Sequence, residues 1–486
     1  MDDTRRGEQG GIAQAMADER LAFLGLGEQA RRIRAREISP VDLTEAHLAR
    51  IERLNPRLGA YITVCADGAR AAARAAEQAI ARGARLGPLH GITVGVKDIF
   101  DTAGVRTTHG SSFYRDNVPV EDADSVRRLK AAGAIVIGKC NTHEFAAGST
   151  TNNPWYGPAR NPWNLDRSPG GSSGGSGAAV AAFLCAAATG TDTGGSIRSP
   201  AACCGVVGLK PTYGRVSLRG IYPNALSLDH PGPIARSARD AGLVLQGMAG
   251  WDPDDPTSEN VPVPDFTEGI EAGVSGMRLA LCPDFHGAEL DRSVEAALDE
   301  AVKTLAGLGA RIETVGFPLR EALQAARIAI SRAEFLALHR ARLAAQPEGY
   351  GADVRERLRE AAATTLDDYV RACRDRERVR RALDMLLGEV DALILPVSPC
   401  EAPLIDGTAR VNGKDVVFAE VGIPLRGPVN VTGLPAIAIP VGYSPGGLPL
   451  SMQIVGPRWG EAKVLRIAHA YEEATPTLRN RRPALD

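Results

Sequence analysis

Residues 168–200 read SPGGSSGGSGAAVAAFLCAAATGTDTGGSIRSP, two glycine/serine clusters separated by a small-residue apolar segment. The spacing presents Ser172 and Ser196 on separate glycine-rich turns. Glycine lets the backbone turn sharply and lets its N–H groups approach a ligand with no Cβ in the way. Such a stretch can hold a nucleophile, an oxyanion hole and a proton relay.

Three chemistries compete for it. A phosphate cradle would need GxxxxGK[ST], or GxGxxG opening a helix after a strand, and neither occurs here. A nucleophile elbow would need GxSxG, which Gly171-Ser172-Ser173-Gly174-Gly175 supplies with Ser173 at its centre. The elbow also needs a downstream acid and histidine, and His230, His286, His339 and His469 stand in unremarkable contexts. The third chemistry uses lysine as base. Lys97 closes the apolar run GITVGVKD, where an unpaired ammonium would be costly. Its structural alternative is an ion pair with Asp98 or Asp101. Only seven of the 56 basic residues are lysine, so a lysine in an apolar setting stands out.

The elements that must position these groups follow from periodicity. In ISPVDLTEAHLARIERLN, Ser39 is placed to cap a helix, with Pro40 at its first position and Asp42 in its first turn. Ala66–Gly83 forms a second helix ended by glycine, and Ile92–Val96 a β-branched strand stopping at Lys97-Asp98. Residues 125–132 predict a helix and 134–141 a strand of continuous apolar character, as a parallel sheet requires. The apolar run Gly177–Ala188 reads as a buried helix. Residues 278–315 read strand–helix–strand, residues 321–388 as arginine-rich helices with solvated faces, and DALILPVSP, TGLPAIAIPVGY and LPLSMQIVGP as late strands before a helix at 461–473. The pattern predicts an α/β fold with a large twisted mixed sheet flanked by helices on both faces, plus a smaller helical insertion.

Composition narrows the class. Hydrophobic content of 44% and charge of 23% are ordinary globular values. A net charge of −2 argues against a nucleic-acid partner. Residues 1–25 carry acidic residues early and no continuous apolar run, unlike a secretory signal, and no segment is long enough to span a membrane. The eight cysteines form no CxxC pair and no zinc spacing, which suits a reduced cytoplasmic protein with no metal site.

PLHGITVGVKDIFDTAG, SPGGSSGGSGAAVAA and GTDTGGSIRSPA together resemble the amidase signature family of serine hydrolases. GVVGLKPTYGRVS, SPVDLTEAHLARIERLNP and NVTGLPAIAIPVG are similar to further blocks of that family, and the resemblance covers most of residues 38–475. It implies one amidase domain over 1–486, with an N-terminal helical segment at about 18–85 and a signature core at about 86–250. The helical, substrate-side insertion falls at about 320–390 and the C-terminal strands and helix at about 391–475. Position by position, Ser196 matches the nucleophile, Ser172 the bridging serine after a cis peptide, and Lys97 the base. The N–H groups of Thr193, Gly194, Gly195 and Ser196 match the oxyanion hole, and Asp192, Arg198 and Ser173 are supporting residues, Ser173 standing outside the relay. A homodimer and the absence of any metal or organic cofactor are also implied.

The family holds several activities, and fold does not choose among them. The main expectation is hydrolysis of a small or aryl/alkyl amide, with carbamates or esters as further substrates and a pocket of Phe145, Ser149, Tyr213 and Ile423. The alternatives are the glutaminase subunit of a tRNA-dependent amidotransferase, or a non-catalytic assembly protein. The glutaminase branch generally carries an aspartate before the NLAGLP-like block, where this chain has Ile423-Pro424-Leu425. No catalytic position of the resemblance is missing, which weighs against the assembly protein.

Overall fold

The computed structural model describes residues 19–285 and 287–485. The reading of the chain's first 18 residues and of His286 therefore lies outside the described residues. The strands are β1 (Tyr61–Val64), β2 (Thr93–Lys97), β3 (Ile135–Cys140), β4 (Asn152–Asn153), β5 (Gly157–Pro158), β6 (Ala187–Asp192), β7 (Val207–Lys210) and β8 (His230–Ala235). They continue as β9 (Arg278–Leu281), β10 (Arg311–Thr314), β11 (Ala392–Pro396), β12 (Thr408–Val411), β13 (Lys414–Val417), β14 (Ala436–Tyr443) and β15 (Pro449–Val455).

Eleven of these form one sheet in the order β1-β3-β2-β6-β8-β7-β14-β15-β11-β9-β10. The sheet is mixed: β2 runs parallel to β3 and β6, and β9 parallel to β10 and β11, while β6, β7 and β8 pair antiparallel. Strand alternation divides the core between its two faces. Val94, Val96, Ala187, Ala235, Ile437 and Ile439 pack into one apolar cluster, whereas Ile135, Ile137, Ala188, Ile234 and Ala438 pack into the other. Both clusters are closed by helices, giving the expected α/β layers.

The local signals hold where capping chemistry is explicit. Ser39 Oγ accepts the Val41 N–H at the start of the helix Pro40–Leu58, with Pro40 at the first position. The helix Ala66–Ala81 ends just before Gly83, whose φ is +70°. The apolar run from 177 behaves differently from expectation. Its helix, Gly174–Ala181, stops early, and β6 begins at Ala187. Alanine favours helix, but the Ala186 N–H donates to Thr93 O, and Ala187 and Ala188 pair with Val94 and Gly95. Pairing with the central strand overrides local propensity.

The helices Arg320–Ala345, Ala352–Ala361 and Leu366–Glu389 lie between β10 and β11. Many of their arginines are solvated, as expected, but Arg327, Arg332 and Arg357 instead line a cavity in front of the sheet.

Candidate active site

Lys97 is the last residue of β2, and the pleat decides where it points. Val94 and Val96 face one apolar cluster, so Lys97 faces the opposite side. Its Nζ lies 2.7 Å from Ser172 Oγ and 2.8 Å from Thr191 Oγ1. Its backbone N–H donates to Thr189 Oγ1 at 3.0 Å, so two threonines spaced i, i+2 on β6 frame the lysine. Lys97 has no solvent exposure and no carboxylate within ion-pair distance among the described residues. Burial disfavours its charged form and pushes its pKa down to about 7, although Asp229 and Asp192 pull the other way. Asp98 does not pair with it. That carboxylate accepts the Thr108 N–H and hydroxyl and lies 3.9 Å from Lys139.

Ser172 is fully buried and follows a cis peptide from Gly171. Ser196 lies at the turn after β6, lines the cavity and is partly exposed, and its hydroxyl has no hydrogen-bond partner among the described residues. The glycines here are needed for close approach. Gly195 has φ +119°, and a Cβ there would collide with the Arg426 side chain. A Cβ on Gly175 would collide with the Asn141 backbone. Ser173, centre of the GxSxG match, bonds instead to the backbone of Thr191 through Oγ at 3.3 Å. No described histidine reaches it: His230 bonds Leu228 O, His339 bonds the Tyr350 hydroxyl, and His469 packs in the helix Glu461–Ala474.

The turn is held by a buried ionic knot. Asp192 and Arg198 lie 3.0 Å apart with neither exposed. Asp192 also accepts the N–H groups of Gly195, Ile197 and Arg198, and the Arg198 guanidinium keeps its carboxyl well below the usual carboxylate range against the cost of burial. Arg198 further donates to Gln453 Oε1 at 2.6 Å and Asn430 Oδ1 at 2.8 Å. The Gly195 N–H is thus occupied, at 2.7 Å from Asp192. The N–H groups of Thr193, Gly194 and Ser196 have no acceptor among the described residues.

The cavity holds about 370 Å³. Of the four pocket residues expected from sequence, Ser149 and Ile423 line it. Phe145 does not: it is wholly buried in an aromatic cluster with Tyr222, His339 and Tyr350. Tyr213 does not either, because its hydroxyl donates to Leu226 O and its ring packs on His230. Sequence reasoning missed Arg327, Arg357 and Glu420 on the cavity wall, and Asp229 behind it. Arg327 and Arg357 make no ion pair among the described residues; their side chains donate to Gln324 and Ser331 instead. Burial, reinforced by repulsion from neighbouring guanidinium groups, pushes both down to about 10. Only their place in an arginine-rich segment could have drawn notice, and helical periodicity does not separate a cavity-facing arginine from a solvated one.

Two other lysines are also fully buried. Lys139 donates to Phe100 O, Thr102 Oγ1 and Thr107 Oγ1, and Lys210 to the carbonyls of Pro211 and Leu434. Neither contacts a serine near the cavity, so Lys97 alone of the three is linked to one.

A deprotonatable lysine bonded to a buried serine, beneath a cavity that a second serine lines, on an α/β sheet, is the architecture of a lysine-assisted serine hydrolase. The family model for Amidase matches residues 42–465, and the chain belongs to that amidase signature family of C–N bond hydrolases. The chain is 41% identical over 476 residues to a Geobacter metallireducens protein named as one of the subunits of glutamyl-tRNA(Gln) amidotransferase, covering 93% of this chain and 97% of that one. Among solved structures it resembles one from work on a vestigial protein complex and the origins of an s-triazine catabolic enzyme, with TM-score 0.89 and 36% identity, covering 93% of this chain and 98% of that one. It also resembles the native peptide amidase of Stenotrophomonas maltophilia, with TM-score 0.82 and 33% identity, covering 95% and 98% of the two chains.

These relatives correct one expectation. The near-neutral net charge argued against nucleic acid, yet the Geobacter relative is named for a transfer RNA and as one subunit of a larger enzyme. Total charge averages over the whole surface and says nothing about a local face or about RNA bound through a partner protein. No helix among the described residues is long and apolar enough to cross a membrane.

Proposed function

We propose that this chain hydrolyses the carboxamide of a small carboxylate-bearing amide, glutamine first among them, as the ammonia-releasing subunit of a tRNA-dependent amidotransferase. The observation that carries the hydrolytic part is the 2.7 Å contact between Lys97 Nζ and Ser172 Oγ, buried beneath the cavity that Ser196 lines. In this reading neutral Lys97 takes a proton from Ser172, Ser172 takes one from Ser196, and Ser196 Oγ attacks the amide carbonyl. The oxyanion is received by the free N–H groups of Thr193, Gly194 and Ser196, each donor being worth about 3 kcal/mol. The proton returns through Ser172 to the leaving ammonia, and water then hydrolyses the acyl-enzyme.

Arg327 and Arg357 support a carboxylate on the substrate, because an anion would relieve two adjacent, half-buried cations. Glu420 supports an ammonium group beside it. The aspartate expected of glutaminases is replaced by Ile423, but Glu420 stands three residues earlier in the helix Phe418–Thr432, and both line the cavity. The relatives named as amidotransferase subunits support the assembly.

A second reading, a stand-alone amidase acting on a small or aryl/alkyl amide, is favoured by the apolar Ile423 at the expected acid position and by likeness to a peptide amidase. Ammonia release from glutamine should be measured alone and with the partner subunits and glutamyl-tRNA, beside amides lacking the α-amino group. Activity on glutamine that rises with the partners supports the first reading. Turnover of the simpler amides alone, with glutamine inert throughout, overturns it.

A further inference from the structure

Asp229, the residue before β8, is 5% exposed yet carries no ion pair among the described residues. Both of its oxygens are engaged. Oδ1 accepts the Thr193 hydroxyl at 2.5 Å, Oδ2 accepts the Asn224 N–H at 2.8 Å, and both accept the Ala225 N–H at 3.1–3.2 Å. Thr193 belongs to the turn that carries Ser196, and Asn224 lies on the cavity wall with its side-chain amide donating to Phe145 O at 3.2 Å. One carboxylate therefore joins the Ser196 turn to a second segment of the cavity lining, at Asn224.

We propose that Asp229 is a positioning residue for the reaction: its carboxylate clamps the Thr193–Gly194 edge of the oxyanion turn against the Asn224–Ala225 wall and couples electrostatically to Lys97. The inference rests on the catalytic reading above. The titratable and charged groups that act around it include Tyr213, whose phenol its charge helps to hold protonated. Asp229 and Asp192 both favour the protonated form of Lys97, Asp229 also favours the charged form of Arg357, and Glu334 opposes ionisation of Asp229 itself. Burial pushes Asp229 up to about 6, partly offset by the Thr193, Asn224 and Ala225 bonds. A working site then needs Lys97 neutral and Asp229 ionised. Both conditions fail on the acid side, so the acid limb steepens toward two protons below about pH 6.

The test uses no assumed substrate. A small sulfonyl fluoride reacts with an activated serine, forming an O–S bond as fluoride leaves and the hydroxyl proton passes to the base. The rate is followed as mass gain of the intact chain from pH 5 to 9. Failure to label the wild type, or equal labelling of Ser196→Ala, would overturn the catalytic reading itself. With that reading standing, Asp229→Asn is expected to label about tenfold more slowly on the plateau, with an acid limb of single-proton slope displaced to lower pH. Thr193→Val keeps the charge but removes the clamp, and is expected to lose a similar factor, with the limb displaced to higher pH because Asp229 loses a hydrogen bond that favours its carboxylate. An Asp229→Asn protein that folds and keeps the wild-type limb overturns the proposal. Should that variant not fold, an unchanged plateau in Thr193→Val does so.

Discussion

Lys97 and Asp98 are chain neighbours whose side chains part company at the end of β2. Lys97 reaches Ser172 and Thr191, while Asp98 turns to Thr108 and lies 3.9 Å from Lys139. Successive strand residues point to opposite faces, so the adjacent acid that would have neutralised the base is held away from it. The lysine is left buried, unpaired and able to lose its proton near neutral pH.

Ser196→Ala should reduce amide turnover by at least about 10⁴-fold, the scale seen when a catalytic nucleophile is removed. The lost hydroxyl has no hydrogen-bond partner among the described residues, so denaturant-induced unfolding should shift by less than about 0.5 kcal/mol. Turnover within tenfold of wild type would remove Ser196 from its assigned role.

Lys97→Met should be inactive yet more stable at neutral pH. The folded amine titrates near 7 and the unfolded one near 10.5, so between those values the unfolded chain binds the extra proton and stability rises with pH. Below about pH 7 the full penalty is present, on the order of 5 kcal/mol, offset by about 1–3 kcal/mol for leaving Ser172 and Thr191 without their partner. Urea unfolding should show the variant's advantage at pH 7 shrinking toward pH 10. An advantage that does not change with pH would mean that Lys97 keeps its ordinary proton affinity.

Activity of the wild type should rise with pH through about 7, because the productive form of Lys97 is the neutral amine. An acid limb centred above pH 9 would show that burial does not act on this lysine as inferred.

Arg357→Ala and Arg327→Ala should raise KM for a carboxylate-bearing amide by about 10- to 100-fold, the worth of a charge-assisted hydrogen bond at 1.5–3 kcal/mol. KM for an uncharged amide of similar size should change by less than about threefold. Equal effects on both substrates would assign these arginines to the cavity's shape rather than to an anion.

Arg198→Met should destabilise the chain by about 3–5 kcal/mol, because it leaves the Asp192 carboxylate buried without its counter-ion. Restoring electroneutrality with Asp192→Asn in the same chain should recover part of that loss, as read from urea midpoints. Full additivity of the two losses would contradict a direct pairing.

Much of this architecture was legible from local chemistry. Ser39 and Pro40 start a helix because a hydroxyl cap and a pre-set φ act within a few residues, and the run before Lys97 forms a strand because its β-branched residues suit a pleated backbone. The motifs around Lys97, Ser172 and Ser196 were legible because they resemble family blocks, and glycines do mark the turn that carries Ser196, whereas Gly95 beside Lys97 lies within β2 and Gly174 and Gly175 within a helix. The end of the helix at Ala181 was not, because the hydrogen bond from Ala186 to Thr93 spans 93 residues of chain.

By itself, then, the sequence determined the residue types, the turns that present them and the strand that carries the lysine, all of which depend on short-range sterics and periodicity. Only the tertiary structure decided that Asp98 would not neutralise Lys97 and that Asp192 would occupy the Gly195 N–H. It also decided that Phe145 and Tyr213 would pack away from the cavity while Arg327 and Arg357 came to line it and Asp229 to lie behind its wall. Burial, long-range pairing and the sum of neighbouring charges set those outcomes, and none of them is a property of a residue with its chain neighbours.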